Sequence, residues 1–402
     1  MRVALGLLIL LTGWLGSSPA SAFDCAKAFQ PTDFVLCSTP KLLAVADMHA
    51  TAWSAAMTIL DRMDRLGLAA TQKIWAQDVA ELCRLPEHGK PTDSEIAGAG
   101  SCVEWEFQRR TETLRKFVIT RAAPDETIQH WNVPPYDLYL REAGQGGDIS
   151  VLWLLKDGHL VYLTGNTVLH LNPRGSFEQI EDFRESVRPF RVGEDILGLG
   201  GPALMVEGNS LGAHCCLELT VLILGEGFKA LPRLNLLDNE VVQVVPRVEK
   251  PASLELEDFT WGYWRSGFAG SSAPPVVLGY DAGAGRFIAD RELMRKPMPP
   301  AEALTALLRE AKAEAADEDH FPDDVPRGIT QPILELIYSG HLREAHDFLV
   351  AAWPEEEEGR DEYWSDLTTC QMRLSPYWRT VADLNGIPAD NPVGQCPRPA
   401  KY

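Results

Sequence analysis

Between Pro40 and Pro86 the chain has no proline, and apolar or aromatic side chains recur at Leu42, Val45, Ala46, His49, Trp53, Ala56, Met57, Leu60 and Met63. Steps of three and four are the period of a helix buried on one face. Thr39 offers a side-chain oxygen to the first free amides, Pro40 suits the first helical position, and Gly67 is the expected stop. A second helix is predicted over 71–83, with Ile74, Trp75, Val79 and Leu82 inward. A third is predicted from Ser101, with Val103, Phe107, Thr111, Leu114 and Phe117 on one face. If the first two helices form an antiparallel hairpin, Cys37, Cys83 and Cys102 meet at one pole, within reach of Cys25.

The pattern then changes. Short apolar runs at 150–155, 159–164 and 167–171 are separated by Asp157-Gly158 and Gly165-Asn166, which are hairpin-turn signals. Further runs at 203–206, 217–224, 241–245 and 276–278 extend an antiparallel, strand-rich region. After Pro297-Met298-Pro299-Pro300 the helical period returns, over 301–316, 330–339, 342–353 and 363–374. The pair around Gly340 is similar to a single helical hairpin of the tetratricopeptide kind, and one hairpin makes no repeat array.

Composition sharpens this picture. The 402 residues include 57 acidic and 37 basic side chains, a net charge of −20, with no basic cluster of the kind phosphate backbones require. Residues 1–22 pair a basic start and a short apolar run with Ala20-Ser21-Ala22, the layout of a cleaved secretory signal. No later stretch is long enough for a membrane span. Export makes the 8 cysteines candidates for disulfides rather than metal ligands, and no Cys-x-x-Cys pair is present. Pairing Cys25 with Cys37 and Cys83 with Cys102 is preferred, with crossed pairing open; each bridge is worth about 3 kcal/mol in loop-closure entropy. Cys370 is expected to pair with Cys396, and Cys215 and Cys216 are candidates for a vicinal bridge.

Two resemblances follow from particular residues. Phe23-Asp24-Cys25-Ala26-Lys27-Ala28, Asp33, Leu36-Cys37, Pro40 and Leu42, then Gln72, Trp75, Cys83 and Cys102-Val103 with Phe107, Arg110 and Leu114, resemble the LprI-like lysozyme-inhibitor domain over residues 23–118. That resemblance implies a disulfide-stapled helical fold and lysozyme as a candidate partner. The stretch from Val206 through Gly208-Asn209-Ser210-Leu211-Gly212-Ala213-His214 to Cys215-Cys216, followed by Phe259-Thr260-Trp261-Gly262-Tyr263-Trp264, is similar to degenerate FG-GAP-like repeats. Such repeats hold calcium in Asp-rich loops, whereas the equivalent loops here, 195–200 and 244–251, have lost nearly all those carboxylates.

Gly208-Asn209-Ser210-Leu211-Gly212 also satisfies the nucleophile-elbow pattern, with Ser210 as nucleophile and His341 or His346 as base. That chemistry needs a strand, a sharp turn and a helix, but the residues after His214 favour a strand. The expectation is therefore a non-enzymatic, multidomain α+β binding protein, periplasmic or secreted, without metal or cofactor. It comprises a signal at 1–22, a helical bundle at 23–120, a β-rich domain at 121–296 and a helical region at 297–402. Lysozyme or another envelope protein is the expected partner; a Ser210 hydrolase and an envelope assembly protein are the alternatives. Residues 23–120 carry 11 basic and 13 acidic side chains while 297–402 carry 9 and 20, so the acidity lies away from the module expected to bind.

Overall fold

A computed structural model describes residues 23–86, 88–122, 128–143, 149–171, 195–212, 215–239, 242–317 and 322–388. The protein is a multidomain α+β chain that divides into two compact units, Met1–Leu60 with Val79–Ala123, and Asp61–Asp78 with Pro124–Tyr402. The expected signal at 1–22 lies outside the described residues.

The first helices are α1 (Pro31–Leu36), α2 (Pro40–Ile59), α3 (Arg62–Leu82) and α4 (Asp93–Ala122). Thr39 caps α2 by accepting the Leu42 amide, with Pro40 in the first turn. The stop at Gly67 is corrected. α2 ends at Ile59, Leu60 is extended, and Asp61 starts α3 by accepting the Asp64 amide at 2.9 Å. Gly67 stands in mid-helix because of packing: a Cβ there would lie 1.7 Å from the Leu160 carbonyl oxygen. The start of the third helix is corrected as well. Thr92 and Glu95 form a reciprocal cap, Glu95 accepting the Thr92 amide at 2.6 Å and Thr92 the Glu95 amide at 3.3 Å. α4 therefore begins well before Ser101 and runs through Gly98 and Gly100.

In the first unit α2 lies along α4. Lys41 reaches Glu104 at 2.8 Å, and His49 meets the Phe107 ring edge-on at 5.2 Å. Val103, Phe107, Thr111, Leu114 and Phe117 are all buried, the face the spacing picked out. The long neighbour of α2 is thus α4, and not the second helix that the expected hairpin invoked; most of α3 groups with the second unit. Disulfides join Cys25 to Cys37 and Cys83 to Cys102, with Cα–Cα distances of 5.8 and 5.5 Å.

The second unit has three antiparallel sheets. The first is a meander of β1 (Ile128–Val133), β2 (Tyr136–Arg141), β3 (Ser150–Lys156) and β4 (His159–Asn166). The second contains β5 (Val168–Leu171), β6 (Ala203–Gly212), β7 (Cys215–Leu224) and β8 (Phe228–Ala230), with β9 (Leu234–Leu237) also paired to β7. The third is a meander of β10 (Gln243–Arg247), β11 (Lys250–Glu257), β12 (Pro275–Asp281) and β13 (Arg286–Ala289). Asp157 and Gly158 turn the β3–β4 hairpin with φ of 51° and 82°, the left-handed pair such a turn demands. Gly165-Asn166, expected as a second turn, instead completes β4. The 244–251 stretch, expected as a loop, is the β10–β11 hairpin.

Helices α5 (Arg291–Met294), α6 (Ala301–Asp317), α7 (Arg327–Tyr338), α8 (Leu342–Ala352), α9 (Arg360–Thr369) and α10 (Trp378–Leu384) follow. They do not build a separate core. Leu219 of β7, Leu254 of β11, Val276 of β12, Ile333 and Ile337 of α7, Leu349 of α8 and Leu367 of α9 belong to one buried cluster. Tyr136, Leu138, Leu152 and Leu154 of the first sheet pack with Leu204, Val206 and Leu222 of the second in another.

Candidate functional site

The first unit presents apolar side chains to solvent. Of twelve large hydrophobic residues exposed among the described residues, Phe29, Met48, Ile59, Trp105 and Ile119 lie there, in much the shorter of the two units. Beneath them α4 is polar inside. Glu106 and Arg109 are both buried and joined through the Arg109 Nη2, which donates to the two carboxylate oxygens at 2.8 Å. Burial, with the Arg110 charge second, pulls His49 down to about 4, so at neutral pH it is an uncharged ring against Phe107. Gln72 and Trp75, two of the positions that carry the LprI-like resemblance, are half-buried on the part of α3 that groups with the second unit.

Ser210 is placed on a strand. Gly208 to Gly212 complete β6, and after two residues β7 returns antiparallel. The strand, turn and helix of a nucleophile elbow are not formed there. Both proposed bases are engaged elsewhere: His341 Nε2 lies 2.8 Å from the Lys296 carbonyl, and His346 meets Trp364 edge-on at 4.8 Å. Cys215 and Cys216 open β7, while their side chains, like Cys396, lie outside what the structure describes. Cys370 is disulfide-bonded.

In the loop 195–200, Asp195 accepts the amides of Leu199 at 2.8 Å, Gly200 at 2.7 Å and, just beyond, Gly201 at 3.2 Å. Gly198 and Gly200 take φ of 65° and 83° to wrap the loop around this carboxylate. The backbone itself thus uses both oxygens.

Two constellations escaped sequence reasoning because their members are far apart in the chain. Asp61, Asp64 and His159 place ligand-type atoms within 4.8 Å of one another. Asp64 is buried and accepts the Leu160 amide at 2.8 Å, and its carboxylate lies 3.7 Å from His159 Nδ1. Both aspartates sit in the first turn region of α3, where the helix dipole favours anions and opposes an added cation, so the cluster works as a clamp of α3 on β4. The second is Asp258, which is 1% exposed. Its Oδ2 accepts Tyr338 at 2.6 Å and Ser375 at 2.5 Å, and its Oδ1 accepts the Thr260 amide at 3.0 Å and the Thr260 hydroxyl. Trp261 Nε1 donates to the Tyr338 oxygen at 3.0 Å. Burial, then the Asp258 charge, pushes the Tyr338 phenol well above its usual range, so it stays a donor.

Glu207, on β6, is a desolvated carboxylate with no salt bridge or hydrogen bond among the described residues. Burial raises it to about 7. Its folded-state value lies above its unfolded one, so its contribution is fully present below about pH 4.5 and is lost as pH rises through 7. Glu207→Gln should therefore be more stable than the parent by about 2 kcal/mol at pH 8 and not at pH 4.5. Urea denaturation at the two pH values measures this; equal gains at both would show that charge is not the cause.

Comparison with protein families, with curated proteins and with solved structures finds no match to this chain.

Proposed function

We propose that this chain is an exported binding protein of the bacterial envelope whose first unit engages another protein, with lysozyme the first candidate. The observation that carries this reading is Trp105, 43% exposed on a helix stapled by the Cys83–Cys102 bridge. A large aromatic held open to solvent on a braced helix is the usual anchor of a protein interface. The near balance of charge over 23–120 agrees, since a module without a strong field binds through apolar contact rather than electrostatic steering. Disulfides persist in oxidising compartments such as the periplasm, and among the described residues no helix is long and apolar enough to cross a membrane. The LprI-like resemblance of residues 23–118 supplies the lysozyme candidate.

The test uses the whole chain, because α3 takes part in both units. The protein should slow lysozyme in a cell-wall turbidity assay, and Trp105→Ala should raise the concentration for half-inhibition at least tenfold, the effect of losing a ~2 kcal/mol anchor. Undiminished lysis at large molar excess removes lysozyme as the partner.

A further inference from the structure

The third sheet has a face that the reading above does not use. Ala252, Leu254 and Leu256 of β11 point into the core. Alternation turns Ser253 and Glu255 to the opposite side, where they line a cleft of about 210 Å³. Register sets their neighbours: Val245 of β10 pairs with Ser253, and Val277 of β12 pairs with Glu255. Arg247, two residues beyond Val245, and Lys296, just after α5, also line the cleft. Along β11, Ser253 therefore lies between the level of Arg247 and that of Glu255.

Two of the polar groups here, Ser253 and Glu255, are unspent. Ser253 is 3% exposed, and its hydroxyl has no hydrogen-bond partner among the described residues. Glu255 is half-buried and likewise makes no ion pair or hydrogen bond among them, although two cations line the same cleft. The carboxylate that Arg247 meets is Asp290, at 3.9 Å. Asp290 itself caps α5 through the amides of Glu292 and Leu293, so its charge is already shared. Glu255 pairs with neither of the two cations that line the cleft, and Arg247 meets Asp290 only at 3.9 Å, which leaves negative charge on one side of the gap and positive charge on the other. A zwitterion bridges such a gap. The volume falls below the ~300–1,000 Å³ typical of sites for larger ligands.

We propose that this cleft binds a free α-amino acid with a small aliphatic side chain. Glu255 receives the ammonium, Arg247 and Lys296 receive the carboxylate, and the Ser253 hydroxyl gives the directional hydrogen bond that fixes the pose. Val245, Val277 and Leu293 supply the apolar wall for the side chain. The site lies wholly in the second unit and stands or falls independently of what the first unit binds.

Isothermal titration of the full chain with valine tests this, with N-acetylvaline lacking the ammonium and valinamide lacking the carboxylate. Saturable valine binding is expected, with each analogue at least tenfold weaker. Glu255→Gln should weaken valine at least tenfold and leave N-acetylvaline unchanged, while Lys296→Met should weaken valine and leave valinamide unchanged. Both positions are at least partly exposed, and an unaltered urea midpoint for each variant shows that the fold is kept. No heat with valine, alanine or leucine at millimolar concentration overturns the proposal. So does valine binding that Glu255→Gln and Lys296→Met leave intact, or N-acetylvaline binding as tightly as valine.

Discussion

Gly67→Ala should destabilise the second unit by about 4 kcal/mol. The added methyl would meet the Leu160 carbonyl oxygen at 1.7 Å, and that oxygen belongs to backbone, which cannot rotate aside. α3 must instead lift from β4. Lifting stretches the bond from the Leu160 amide to Asp64 at 2.8 Å and the contact of Thr71 with the Val161 carbonyl at 3.4 Å. β4 is the edge of its sheet, and these contacts occupy backbone groups an edge would otherwise leave open. Urea denaturation should show the loss, and Gly67→Ala should also increase aggregation on heating. A loss below about 1 kcal/mol, the mere helix-propensity range, would mean the close approach is not a constraint.

Asp258→Ala should cost a similar amount, about 3–5 kcal/mol, by a different route. Removing the carboxylate strands the Tyr338 and Ser375 hydroxyls, which both donate to its Oδ2, together with the Thr260 amide. Tyr338 and Ser375 are buried, where an unmet donor keeps its full desolvation cost, while Thr260 is half-buried and loses less. Asp258→Asn keeps one acceptor oxygen and should lose roughly half as much. The emission of Trp261, whose ring nitrogen donates to Tyr338, should shift in both variants. Equal losses for Ala and Asn would point to charge rather than hydrogen bonding as the source of the stability.

The helices were legible where local chemistry decided them. Thr39-Pro40 announced the start of α2, and the buried face of α4 followed from its period. Gly67 misled because the same residue type that ends helices also permits close approach, and only the distant Leu160 tells the two apart. The cap of Thr92 and Glu95 was present in the sequence but lay beside a glycine-rich stretch that reads as a loop. β1 went unrecognised because its aliphatic residues, Ile128 and Val133, stand only at its two ends with polar and aromatic residues between, and β2, although it buries Tyr136, Leu138 and Leu140 in alternation, was passed over beside it. After His214, where an elbow needs a helix, the residues favoured a strand, and β7 is that strand. The cleft of Ser253, Glu255, Arg247 and Lys296 had no local signature, since register across three strands assembles it.

The division of α3 between the two units also has a consequence for the order of events during synthesis. Its first half is committed to a strand that comes much later: Asp64 and Leu160 are 96 residues apart, Thr71 and Val161 90. Until β4 is available, the Leu68 face of that helix has no native surface to cover it, while the Cys25–Cys37 bridge, spanning 12 residues, and the Cys83–Cys102 bridge, spanning 19, close only short local loops once the chain meets an oxidising environment. A chain that emerges N-terminus first into oxidising conditions thus passes through a stage in which a covalently braced module carries a bare apolar helix, the state in which holdase chaperones have most to grip.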